Sequence, residues 1–207
     1  MLEFSESTLQ LKKLENSDQV KVSEIITGLI TCKSSDSYQE LIRELGRLIS
    51  FQHWTGFICK MENEWEITAE YFFQTNYPES FISAYEELKL GFIDFVMINN
   101  FTPESFGHLQ LWSETQKKVE GMKENLDPQV YKKHQDFLDF VKEWNILQEG
   151  YSIGCKTSNP EKNIHYGSIF SIADKIEPSE RTETILEILS PYLHQALLKV
   201  WVTEAEG

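Results

Sequence analysis

Residues 54–61 read Trp-Thr-Gly-Phe-Ile-Cys-Lys-Met and residues 65–73 read Trp-Glu-Ile-Thr-Ala-Glu-Tyr-Phe-Phe, with the polar triplet Glu62-Asn63-Glu64 between them. Aromatic and β-branched side chains suit a half-buried pleated surface, and a short polar break lets the chain reverse. The stretch therefore predicts a β-hairpin. A second hairpin is predicted from Tyr151–Lys156 and Ile164–Ala173, around the polar loop Thr157–Asn163.

Helical spacing surrounds both hairpins. Leu11, Leu14, Val20, Val22, Ile25, Ile26, Leu29 and Ile30 recur at that period, with a break predicted at Asn16-Ser17-Asp18. Ser34-Ser35-Asp36-Ser37 offers an N-cap for a helix burying Tyr38, Leu41, Ile42, Leu45 and Leu48-Ile49. Pro78 suits the first turn of a helix that places Phe81, Tyr85 and Leu88 on one face until Gly91. Asp127-Pro128 opens another, to about Leu147, with Tyr131, Phe137-Leu138, Val141 and Trp144 inward. Pro178 starts the last one, and Pro191 inside it predicts a kink. Two hairpins among helices imply a mixed α/β (α+β) fold, an α-β-α sandwich around a mostly antiparallel sheet. With no repeat and no linker, residues 1–207 read as one domain. It comprises an N-terminal helical segment (1–35), a sandwich core (36–177) and a C-terminal helix (178–203).

Composition narrows the function. Thirty-three Asp and Glu against 19 Lys and Arg give a formal charge of −14. Such a chain repels phosphates, so this segment is not expected to hold DNA or RNA by itself. Cys32, Cys59 and Cys155 are odd in number and far apart, which excludes a zinc ribbon or a disulfide framework and fits a reducing, cytoplasmic setting. The first residues carry no signal-peptide pattern, and the longest apolar run, Phe92–Ile98, is broken by Asp94 and too short to cross a membrane. His53, His108, His134 and His194 are scattered without ligand spacing, so neither metal nor cofactor is expected. Cys155 and His165 flank one hairpin loop, where a thiol–imidazole pair could lie across it. A small buried Cys is the commoner arrangement, and no catalysis is expected.

Asp94 is the most informative polar residue. A carboxylate in an apolar run is costly to bury without hydrogen-bond donors. Either backbone N–H groups of a helix beginning at Phe95 supply them, with Asp94 as the cap, or a ligand N–H does. Nearby, Tyr77 and Tyr85 bring phenols and Phe81 an apolar ring, the ingredients of a small-molecule pocket.

Asn76-Tyr77-Pro78, Phe81, Tyr85, Asp94 and Trp112-Ser113, in that spacing, resemble the N-terminal signal-binding domain of LuxR-type quorum-sensing regulators. Further on, Trp144-Asn145-Ile146, Gly150, Ser168–Ala173 and Leu189–Leu197 are similar as well, so the resemblance covers about residues 36–202. It implies a GAF/PAS-like sandwich enclosing an acyl-homoserine lactone or related signal. It also implies that Asp94 accepts the ligand amide N–H and that Tyr77 and Tyr85 contact the acyl chain or its carbonyl. By the same resemblance Trp112 packs on the lactone ring, Ser171 lies near the acyl carbonyl, and Gly150 permits close approach. This chain departs from the family in three places, one of them three extra residues between Asp94 and Trp112. Phe81 stands where members usually carry a Trp whose indole N–H binds the lactone carbonyl, and Asp94 is followed by Phe95 rather than Pro. Such regulators continue into a basic helix-turn-helix, which residues 1–207 do not contain. The expected partners are thus a small-molecule signal and a second copy; the apolar stripe ending in Leu197, Leu198, Val200 and Trp201 is expected to dock on the sheet, the alternative being that its last turns extend beyond the core and pair with that copy. The alternative is a degenerate sensor fold, closed by its own aromatics, that serves dimerisation.

Overall fold

The computed structural model describes residues 10–61, 67–87, 105, 107–121, 123–125, 128–144, 149–159, 164–174 and 176–206. Helix α1 (Asn16–Thr31) and helix α2 (Ser35–Ile49) precede strands β1 (His53–Met61) and β2 (Ile67–Thr75). Next come α3 (Glu79–Glu87), β3 (Leu109–Leu111), α4 (Trp112–Gly121), a 3-10 turn (Lys123–Asn125) and α5 (Pro128–Trp144). Strands β4 (Glu149–Asn159) and β5 (Ile164–Asp174) and the long helix α6 (Glu180–Glu206) complete the chain.

Both predicted hairpins form, and they join. The sheet order is β2-β1-β5-β4-β3, with every described pairing antiparallel. The second hairpin is longer than its apolar pattern suggested: β4 runs on to Asn159, through residues assigned to the loop. Edge strand β3 and helix α4 were not anticipated, because three residues are too few to display alternation. The break in the N-terminal helix falls just before Asn16, so Asp18 lies inside α1.

Strand alternation assigns the two faces. Trp54, Gly56 and Ile58 of β1 lie opposite Ile172, Phe170 and Ser168 of β5. A Cβ on Gly56 would meet Leu197 of α6 at 3.1 Å, so this face looks toward α6. Here the main core gathers Val22, Ile25, Tyr38, Ile42, Leu45, Trp54, Phe170, Leu189, Leu193 and Leu197 from both hairpins and from α1, α2 and α6. Tyr38 meets Phe73 edge-on at 5.0 Å, and Trp54 stacks on Phe170 at 5.3 Å.

Local chemistry sets the helix ends. Ser34 caps α2 in a reciprocal box with Ser37, as the serine cluster predicted. Helix α6 continues through Pro191. Proline leaves the carbonyl four residues earlier without its backbone donor, and the Ser190 hydroxyl donates to that carbonyl, Glu187 O, at 3.1 Å.

Two polar contacts tie α6 down. Arg181 donates to both carboxylate oxygens of Asp18 on α1, from Nε at 2.6 Å and from the guanidinium at 2.8 Å, and also to Leu48 O at 3.2 Å. These bonds hold the Asp18 carboxyl below the usual carboxylate range, against the opposing effect of burial. His194 lies between the Ser168 hydroxyl (2.6 Å from Nδ1) and the Thr157 hydroxyl (2.5 Å from Nε2). Burial lowers its pKa to about 4.

Replacing Asp18 with Asn should cost about 1–3 kcal/mol, because it removes a charge-assisted pair of bonds; urea unfolding at neutral pH measures it. For His194 the unfolded chain takes up its proton near the ordinary value of 6.5 and the folded chain only near 4. Stability is therefore complete above that window and falls as pH drops through it. Urea midpoints taken from pH 7 down to pH 4 should fall less steeply in His194→Asn than in the parent.

Candidate functional site

The opposite sheet face is built differently. His53 of β1, Ala173 of β5 and Gly150 of β4 form one transverse row on it. Two residues along the strands, about 7 Å away, comes a row of polar residues: Gln74, Thr55, Ser171, Ser152 and Gln110, one from each of the five strands. Ser171 and Ser152 are buried at its centre, 7% and 2% exposed. Buried hydroxyls are costly without partners, so a polar row under an apolar layer marks this face out from the sealed core behind it.

A second aromatic cluster covers the row's approach. It combines Tyr77, Phe81, Phe137, Leu138, Phe140 and Val141, with Tyr85, Trp112 and Trp144 packed against it. Asn76 sets its entry. This residue takes a left-handed conformation, φ 64°, which Asn tolerates well, and its amide donates to Gln52 O at 2.6 Å. Gln74 Oε1 then accepts from the Tyr77 N–H at 3.2 Å, and α3 follows. Tyr77 thereby meets His53 at 4.9 Å and stacks on Phe81 at 5.2 Å. Phe81 also contacts Tyr85 at 6.3 Å, Phe140 at 5.2 Å and Trp144 edge-on at 5.6 Å.

Trp112 anchors the far end of the row formed by His53, Ala173 and Gly150. It begins α4, whose Ser113 N–H donates to Glu149 Oε1 at 3.1 Å. Its indole lies over Gly150: a Cβ there would come within 2.9 Å of Trp112 Cε2 and 2.3 Å of Ile172 O. Trp112 Nε1 is buried and has no hydrogen-bond partner.

Tyr77, Phe81, Tyr85 and Trp112 are thus brought into one cluster, and Gly150 and Ser171 lie on the sheet face beside it. Asp94 lies outside the described residues. Sequence reading missed His53, Thr55, Ser152 and the α5 rings as neighbours. Their only local sign was strand alternation, which needs the register before it assigns a face. The thiol–imidazole pair does not form: Cys155 lies opposite Ser168, whereas His165 pairs with Ser158. Burial pushes the Cys155 thiol up to about 12, and its sulfur donates to Ser190 O. Among the described residues no cluster of His, Cys, Asp or Glu could hold a metal ion, and no helix is long and apolar enough to cross a membrane.

The profile of the autoinducer binding domain matches residues 35–197, most of the chain. The protein belongs to that family, the signal-binding regulatory domain of LuxR-type regulators. Solved structures share the fold. Escherichia coli SdiA aligns with a TM-score of 0.59 at 14% identity, over 89% of this chain and 68% of that one. Burkholderia cenocepacia CepR2, described as an N-acylhomoserine-lactone-dependent LuxR family transcription factor, aligns at 0.59 and 12% identity, over 91% and 98%. SdiA in complex with octanoyl-rac-glycerol aligns at 0.58 and 12%, over 90% and 67%. No curated protein matches the chain in sequence.

Gly150→Ala should destabilise the fold by about 1–3 kcal/mol, since the added methyl collides with a backbone carbonyl as well as with the indole. Urea unfolding followed by tryptophan fluorescence reads it. A fully tolerated Gly150→Ala would mean that the indole does not rest on the sheet at this point.

Proposed function

We propose that the face between the sheet and helices α3–α5 holds a small acylated signal with an amide or other carbonyl group. The observation that carries this reading is the polar row through Thr55, Ser171 and Ser152, set on the same sheet face as the aromatic cluster. Apolar rings offer an acyl chain a dry surface, and a few fixed hydroxyls orient its polar end. In this reading Tyr77, Phe81 and Tyr85 line the chain, Ser171 serves the acyl carbonyl, Trp112 over Gly150 bounds the head group, and Asp94 accepts the amide N–H. CepR2's dependence on N-acylhomoserine lactone and SdiA's complex with an octanoyl glycerol supply the two head-group chemistries worth testing first.

The domain acts as a cytoplasmic sensor, not an enzyme. Among the described residues the hydroxyls hydrogen-bonded to an imidazole, Ser168 and Thr157, both hold His194, which is buried in the core. The signal biases a conformational or homodimer equilibrium, because a ligand shifts only states that it binds unequally. Being acidic, the segment leaves DNA to any helix-turn-helix joined to it.

One observation favours a second reading. Phe81 is 5% exposed and touches four rings, which suits a site closed by its own side chains. Thermal unfolding with N-octanoyl homoserine lactone and with octanoyl glycerol separates the two. A bound signal at a hundred times its Kd adds about 2.7 kcal/mol of stability, and Asp94→Asn should weaken that response to the amide while the protein stays folded. No shift with either ligand, together with a concentration-dependent dimer in sedimentation, would favour the closed dimerisation module.

A further inference from the structure

Among the described residues, three buried polar side-chain atoms stand out as unpaired: Tyr38 Oη, Trp54 Nε1 and Trp112 Nε1. The first two belong to the sealed core on the α6 side, where Trp54 borders a void of only about 10 Å³. That space admits one water at most. Trp112 differs from both, because its ring belongs to the aromatic cluster on the other face and remains partly accessible although its N–H is covered. A buried donor without an acceptor lowers stability until an acceptor arrives. Phe81 poses the complementary problem, since its ring cannot donate to a carbonyl brought into the same cluster.

We propose that the Trp112 indole N–H is the donor that recognises a carbonyl oxygen in the head group of the bound signal, a task for which Phe81 has no group. The inference rests on the reading of this face as the signal site, and it names what that site selects: a head group with a carbonyl at its rim, over one of equal shape without it. Gly150 is part of the device. Without a Cβ it lets the indole approach β4 closely, so the ring rests on the sheet before a ligand arrives. A donor oriented in advance loses little freedom on binding and discriminates strongly against a ligand that leaves it unpaired.

The test uses two probes of one shape, N-octanoyl homoserine lactone and N-octanoyl-3-aminotetrahydrofuran, which lacks only the ring carbonyl. Calorimetry on the unaltered protein should give about 10- to 100-fold tighter binding of the lactone. Trp112→Phe should remove that preference by weakening the lactone alone, and Phe81→Trp in the Trp112→Phe background should return part of it by restoring an indole N–H. Equal weakening of both probes by Trp112→Phe would make the ring a packing surface and overturn the inference while leaving the signal site intact. Should Trp112→Phe fail to fold, the unaltered protein decides: equal affinity for the two probes overturns the donor role, and preference for the lactone supports it. Failure to bind either probe overturns the signal-site reading along with this one.

Discussion

The antiparallel ladder between β1 and β5 joins residues as much as 120 positions apart, His53 with Ala173, along nine residue pairs from His53 to Met61. Each hairpin alone is a marginal structure, because two strands cannot bury an apolar face. Joined edge to edge they form the centre of a five-stranded sheet, with the short β3 and the β2 strand at its margins. This long-range closure is what gives α6 a surface to cover, and α6 is in turn the element that α1 and α2 pack against. The Asp18–Arg181 pair and the Ser168–His194–Thr157 bridge act at the borders of that assembly, fixing the helix with directional bonds where apolar packing is permissive.

The sheet separates stability from recognition by assigning them to opposite faces. The α6 side carries large apolar residues packed into one cluster, with a void of only about 10 Å³ beside Trp54. The other side carries hydroxyls and glycines at the centre and puts its aromatic mass on helices instead. Burial of Ser152 and Ser171 contributes little to folding, whereas Phe170 and Ile172, on either side of Ser171 in sequence, contribute to the core. Alternation along one strand thus serves two purposes, and an exchange of register by one residue would ruin both.

Much of this was legible in the residues. The hairpins, the Ser34 cap, the Phe81–Tyr85 face and the helix opened by Pro178 follow from periodicity and from a few residues with narrow backbone preferences. Asn76-Tyr77-Pro78 is the clearest case: Asn accepts the left-handed turn, Tyr enters the cluster, and Pro suits the first turn of α3. Strand β3 was not legible, being too short for a pattern, and neither was α4, whose first residue is the very Trp112 that resemblance singled out. Which residue faces Cys155 was not legible either, because loop flanks face one another only in the right register, and the actual register sets Cys155 against Ser168.

Element types, the two-hairpin plan, the acidic surface and the family were determined by the sequence itself, since each depends on interactions within a few residues or on composition. Only the tertiary structure decided which residues meet across the sheet. The row from Gln74 to Gln110 draws one side chain from each of five strands, and the rest of Trp112 on Gly150 depends on the pairing of β3 with β4. Such contacts arise from the register of strands far apart in the chain, and no local preference of any single residue contains that information.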